Sequence, residues 1–194
     1  MKSLRLIFSA LCVVLMVHSS ALAQSGLDPI ADRIKDTIEG AEPGWKCERG
    51  QPSFTPQGFS PRFMFEVCSL HAQIVEGRSI REVVTRHVVI NVSPYGSEDE
   101  ARQDIRRTVS DPLNKYKHYQ PLKDLGDEAY TYGLYNSEIF VRAGRFVVDV
   151  TTSSAAANDP DGPTLSLPQK EARDVSERRR LGPLFAQHAL AALQ

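Results

Sequence analysis

Residues 62–92, RFMFEVCSLHAQIVEGRSIREVVTRHVVINV, decide the fold. Two runs rich in β-branched and aromatic residues, 62–75 and 80–92, flank Glu76-Gly77-Arg78-Ser79. Such runs around a glycine-containing turn read as a long β-hairpin. With Val75 set opposite Ile80, Phe63 falls opposite Val92, Phe65 opposite Ile90, Val67 opposite Val88 and His71 opposite Val84. One face then collects Phe63, Phe65, Val67, Val84, Val88, Ile90 and Val92, and a one-residue slip would turn that whole set outward. The other face carries Met64, Glu66, Cys68 and Leu70 against Thr85, His87, Val89 and Asn91.

Downstream, Ser97-x-x-Glu100 has the form of a capping box opening a helix whose inner face is Ala101, Ile105 and Val109, ended by Asp111-Pro112. Residues 116–127 read as a loop. Three strands follow, about 128–135, 138–142 and 145–152, turning at Asn136-Ser137 and Ala143-Gly144. Alternation assigns Tyr130, Tyr132, Leu134, Ile139, Val141, Phe146, Val148 and Val150 to one face, and Thr131, Phe140, Arg142, Arg145 and Asp149 to the other. Residues 153–169, polar and holding Pro160, Pro163 and Pro168, read as a flexible loop. A last helix runs from about Lys170 to Leu193, interrupted near Gly182-Pro183. Upstream, Asp28-Pro29 opens a short helix with Leu27, Ile30, Ile34 and Ile38 on one face, stopped by Gly40. Residues 41–61 are irregular, with Trp45 as a packing anchor. The sum is an α+β domain: a single twisted antiparallel sheet of about five strands with helices packed on it.

The first 23 residues have the three-part form of a secretory signal peptide. Lys2 and Arg5 form the basic end, 6–17 the apolar run, and Ala21-Leu22-Ala23 the small-residue site, so cleavage is expected after Ala23. The apolar run is shorter than the ~20 residues a spanning helix needs. Removing 23 of the 194 residues leaves one extracytoplasmic domain, 24–194. The formal charge moves from −1 to −3, because Lys2 and Arg5 leave and no acid does. That mild acidity argues against nucleic acid or an anionic membrane surface as a partner, and no later stretch suits stable membrane insertion. The expected location is periplasmic or secreted. Cys12 leaves with the signal, and in an oxidising compartment Cys47 and Cys68 are expected to form a disulfide worth about 3 kcal/mol.

No motif for catalysis, metal binding or phosphate cradling is present, and no cofactor is implied. His71 and His87 fall on opposite faces of the hairpin, so they do not share a metal. Asp127 and Glu128, adjacent on a strand, also diverge, and Asp127 reads as a turn cap after Gly126. Lys115, Lys117 and Lys123 near His118 form a small basic patch, and Tyr116, Tyr119, Tyr130, Tyr132 and Tyr135 an aromatic set. Tyr116, Lys117, His118, Tyr119, Tyr130 and Tyr132 are therefore the candidate ligand surface, set against the plainer reading of tyrosines at a core margin and solvated lysines.

The segments Leu125-Gly126-Asp127-Glu128-Ala129-Tyr130 and Val141-Arg142-Ala143-Gly144-Arg145-Phe146-Val147-Val148 resemble a pattern in small extracytoplasmic bacterial domains of the PsbP/Mog1-like α/β/α sandwich type. There a "GDEA" strand start is followed by a "vR-x-G-x-vv-v" hairpin and a C-terminal helix rich in Ala and Leu. The resemblance covers roughly the C-terminal third. It implies a binding, sensing or accessory role and carries no catalytic residue across. The expected function is thus a secreted or periplasmic, non-enzymatic binding or accessory module, its partner a protein or a small ligand. The alternatives are a hydrolase-like enzyme with a motif-free site, using His118 with Asp111 or Asp124, and an accessory subunit of an envelope complex.

Overall fold

The computed structural model describes residues 29–50, 53–55, 58–60, 62–75, 78–158 and 165–194, with side chains described outside 51–82 and 155–164. The expected signal segment, Asp28 and the turn residues Glu76-Gly77 lie outside the described residues. Helix α1 spans 29–41. Strands β1 (Lys46–Arg49), β2 (Ser53–Thr55), β3 (Gly58–Ser60), β4 (Arg62–Val75) and β5 (Arg78–Pro94) follow. Then come α2 (Glu98–Ser110), the 3-10 helix η1 (Pro112–Lys117), β6 (Gln120–Leu122) and β7 (Glu128–Tyr132). The 3-10 turn η2 (Leu134–Asn136), β8 (Glu138–Ala143), β9 (Phe146–Asn158) and α3 (Leu167–Leu193) complete the chain. β2 and β3 pair with each other, and the remaining strands form one antiparallel sheet in the order β1-β4-β5-β9-β8-β7-β6.

The five strands read from the sequence are its interior, and two short edge strands extend it. β1 carries Lys46, Glu48 and Arg49, and β6 carries Pro121, both features that discourage pairing with another chain. The hairpin register differs from the expected one by two residues: Val75 pairs with Arg78, Phe63 with Ile90 and Phe65 with Val88. A shift of two keeps the alternation of the two hairpin strands in step.

α1 and α3 cover one face. Ile30, Ala31, Ile34 and Ile38 of α1 and Leu181, Phe185, Ala186, Ala189 and Leu190 of α3 pack with Val88, Ile90, Val92, Ile139, Val141, Val148 and Val150. Trp45 meets Phe185 edge-on, ring centroids 4.6 Å apart. α2 lies on the opposite face, where Ala101 packs with Tyr95, Val147 and Phe140, and Ile105 is fully buried. Ser97 caps it, its Oγ accepting from Glu100 N at 3.2 Å, while the Glu100 carboxylate accepts from Gly96 N. No described helix is long and apolar enough to cross a membrane.

Four expectations are corrected. Residues 153–158 are strand, not loop: β9 continues along the long β5, pairing Ser153 with His87 and Asn158 with Glu82. The unpaired edge of β5 overrides the weak strand propensity of Ser, Ala and Asn. Residues 167–169 are the first turn of α3, with Pro168 in a position where its missing N–H is harmless. α3 also runs unbroken through Gly182-Pro183. Gly182 is there for proximity, because a Cβ on it would lie 2.3 Å from the Ser137 carbonyl oxygen. The interval 116–127, expected as loop, contains the end of η1 and the strand β6.

The fourth correction is the disulfide. Cys47 is a free thiol. It pairs across β1–β4 with Phe65, whereas Cys68 is three positions further along β4 and pairs with Thr85. The two are not partners in the β1–β4 register, and no cysteine pair stands at disulfide distance among the described residues. Burial, then the nearby Glu39 carboxylate, pushes the Cys47 thiol up to about 11, leaving it protonated and a poor candidate for oxidation. Peptides carrying Cys47 and Cys68 are accordingly expected to be fully alkylated in denaturant without prior reduction; a disulfide-linked peptide pair would contradict this register.

Candidate functional site

Pairing of β7, β8 and β9 sets Tyr130 opposite Phe140, Tyr132 opposite Glu138 and Phe140 opposite Asp149. These residues share the face opposite α1 and α3. Tyr130 and Tyr132 are therefore not on the face of Ile139 and Val141, as the alternation had suggested; the small Ala129 holds that place in the core. Two large tyrosines read as the core side of β7, but the register sets Ala129 and Thr131 opposite the core residues Val141 and Ile139.

The tyrosines instead build a cluster over a half-buried acid, Asp149. Tyr132 is buried, and its hydroxyl donates to Asp149 Oδ1 at 2.6 Å. The Tyr119 ring lies 5.0 Å from Tyr132, 6.0 Å from Phe140 and 6.3 Å from Tyr130. Lys117 Nζ sits 5.2 Å from the Tyr132 ring centroid and 5.9 Å from that of Tyr119, inside the range of a cation–π contact. Burial raises the Asp149 carboxyl to about 6, with Glu138 adding to the rise and the Tyr132 hydrogen bond and Lys117 opposing it. Burial, followed by the Asp149 charge, holds the Tyr132 phenol far above its ordinary range.

Beside this cluster opens a cavity of about 450 Å³, lined by Tyr116, Lys117 and His118, by Tyr132 and Glu138, and by Gly133, Leu134 and Tyr135. Its backbone is bent in ways that few residues adopt. His118 closes η1 in the left-handed region at φ 51, its N–H donating to Lys115 O. Tyr135 has φ 68, a costly conformation for an aromatic residue, at about 1–3 kcal/mol. α3 holds it there: Tyr135 Oη donates to Glu171 at 2.7 Å, and Arg179 Nε donates to the Tyr135 carbonyl at 2.9 Å. Gly133, at φ 74 and ψ −172, occupies a region open to glycine alone, and its N–H donates to Lys117 O at 3.0 Å, tying η2 to η1.

Of the six residues singled out, Tyr116, Lys117, His118 and Tyr132 line the cavity, and Tyr119 stands behind Lys117. Tyr130 is turned away, its hydroxyl donating to Glu128, which also pairs with Arg106 at 3.3 Å. Asp149, Glu138 and Leu134 were not foreseen as site residues. The sequence signal for Asp149 was a lone acid inside the apolar run 146–150, FVVDV. His118 makes no hydrogen bond with Asp111 or Asp124 among the described residues; the Asp111 carboxylate accepts from Leu113 N at 2.9 Å. Among the described residues, no three His, Cys, Asp or Glu side chains group as metal ligands.

A larger cavity, about 650 Å³, surrounds the second element of the sequence pattern. There Asp127 Oδ2 accepts from Gly144 N at 2.7 Å and from Arg142 Nη1 at 2.9 Å, and Arg142 Nη1 also donates to the Gly144 carbonyl. Asp127 thus locks the start of β7 to the β8–β9 turn, which accounts for the GDEA and VRAGR segments as structure.

Compared with protein-family models, curated proteins and solved structures, the chain matches none.

Because the fold disfavours ionised Asp149, its penalty is absent below about pH 4, where the acid is neutral in both states, and complete above about pH 6. Stability from this group falls as pH rises between those values, by about 3 kcal/mol in all. Asp149→Asn keeps an acceptor for Tyr132 and removes the titration. Urea unfolding at pH 4 to 7 is expected to show the variant gaining on the wild type across that window; parallel curves would contradict the assignment.

Proposed function

We propose that this chain is an extracytoplasmic, non-enzymatic binding module whose ligand site is the tyrosine-lined cavity beside η1 and η2. The carrying observation is the convergence of Tyr116, Lys117, His118 and Tyr132 around one concavity, with the Tyr132 hydroxyl held by Asp149. Concave sites with aromatic walls and a few placed polar groups are the usual form of small-molecule pockets. The strained Tyr135, clamped twice by α3, supports the same reading, since such conformations persist where the surroundings hold them and cluster at ligand clamps. Secretion rests on the N-terminal sequence, and kinship with the PsbP/Mog1-like domains on the short segments that resemble them.

A second reading, a protein-binding accessory subunit, draws on the rim of the same site. Leu113, Tyr116 and Leu134 are 82%, 71% and 66% exposed. Leu113 and Tyr116 are three apart on a 3-10 helix and so eclipse one another on one side, and Tyr116 and Leu134 line the same cavity. A partner covering this rim would bury all three.

The test is a screen of small metabolites against isotopically labelled protein by NMR. A ligand is expected to shift Tyr116, Gly133, Leu134 and Glu138 together, and the exposed change Tyr116→Ala to weaken it about tenfold, the loss of one aromatic contact. Shifts confined to the Arg142 cavity, or turnover of the bound compound abolished by one substitution, would contradict the proposal.

A further inference from the structure

We propose that the cavity takes a small organic cation, an alkylammonium or quaternary ammonium group, and that Lys117 is its built-in competitor. The inference rests on the binding reading above and adds its ligand class. The ammonium of Lys117 already occupies the position a cationic guest would take, 5.2 Å and 5.9 Å from the centroids of Tyr132 and Tyr119. Tyr116 and Tyr135 bring two further rings to the same cavity. Aromatic faces present negative potential, and quaternary ammonium groups, weakly hydrated, lose little on leaving water for them.

The charges around the site point the same way. Glu138 lines the cavity, and its carboxylate lies over Gly133, where a Cβ would come within 2.8 Å of it. Asp149 lies beneath Tyr132, bonded to its hydroxyl. Against these two acids stand Lys117 and the imidazole of His118. With Lys117 in place, its charge is balanced by the acids, so little remains to attract an anion. With Lys117 swung out on its four-carbon stem, the cavity presents the Glu138 carboxylate and several rings to solvent, with Asp149 behind Tyr132. An anion would need Lys117; a cation would need it gone. The two ligand classes therefore predict opposite effects of removing one side chain.

The experiment titrates the full chain with choline, with the uncharged carbon isostere of choline, and with inorganic phosphate, reading NMR shifts of Tyr132, Gly133 and Glu138. Choline is expected to move these signals, and the isostere to bind at least tenfold more weakly. Lys117→Met, which keeps the apolar stem, is expected to tighten choline severalfold, and Glu138→Gln to weaken it; the dispersion of each spectrum reports that the variant is folded. Phosphate binding at these residues, lost in Lys117→Met, would overturn the cation assignment and leave the binding site standing, as would an isostere that binds as well as choline. No shift of these residues by any probe, in wild type and Lys117→Met alike, would overturn the assignment together with the binding reading.

Discussion

The pairing of β5 with β9 runs from Glu82 opposite Asn158 to Pro94 opposite Phe146, and it joins the N-terminal hairpin to the C-terminal meander. Everything else hangs on its register. With Val92 opposite Val148 and Ile90 opposite Val150, the valines and isoleucines of both strands meet beneath α1 and α3. The same alternation turns Asp149, between them, to the other face. A slip of one residue would place the acid in the core and the valines outside, so the apolar core and the acid beneath Tyr132 are two consequences of one register.

The second face is covered unevenly. α2 lays Ala101 toward Tyr95, Phe140 and Val147 and buries Ile105; its exposed Asp99 pairs with Arg102, while Asp104 pairs with Arg107 and accepts from the Tyr95 hydroxyl. Beyond Phe140 the covering is no longer a helix face but a 3-10 turn and a short edge strand, which bring Lys117 and Tyr119 over Tyr132 and Asp149. A regular helix would have sealed this region with aliphatic side chains. The short, bent elements leave room for a cavity whose walls are aromatic and which Lys117 and Glu138 also line.

Much of this was legible in the sequence where periodicity was strong. The hairpin of β4 and β5, the capped α2 and the β7–β9 meander follow from alternation, helical spacing and turn residues. The failures have physical causes. Ser153, Ser154 and Ala155 gave no strand signal, because their strand comes from the long partner β5 and not from their own side chains. Gly182-Pro183 looked like a break, because a sequence does not reveal that Ser137 lies against the glycine. The cysteine pairing followed from compartment and count, whereas strand register decides which cysteines can meet. The site was half visible: Tyr116, Lys117, His118 and Tyr132 stood out by residue type, while Asp149 was hidden within an apolar strand, and Tyr132 was placed on the wrong face because its bulk resembled a core residue.

The central claim is that β9 sets the half-buried Asp149 against the Tyr132 hydroxyl and so organises the site. Its most direct test is the pH titration of the Asp149 side-chain carboxyl carbon, followed by NMR in the folded protein. A midpoint near pH 6, well above the ordinary carboxylate range, is the result expected from a desolvated acid under a tyrosine. A midpoint near 4, the value of a solvated aspartate, would contradict the burial and with it the register that places this residue.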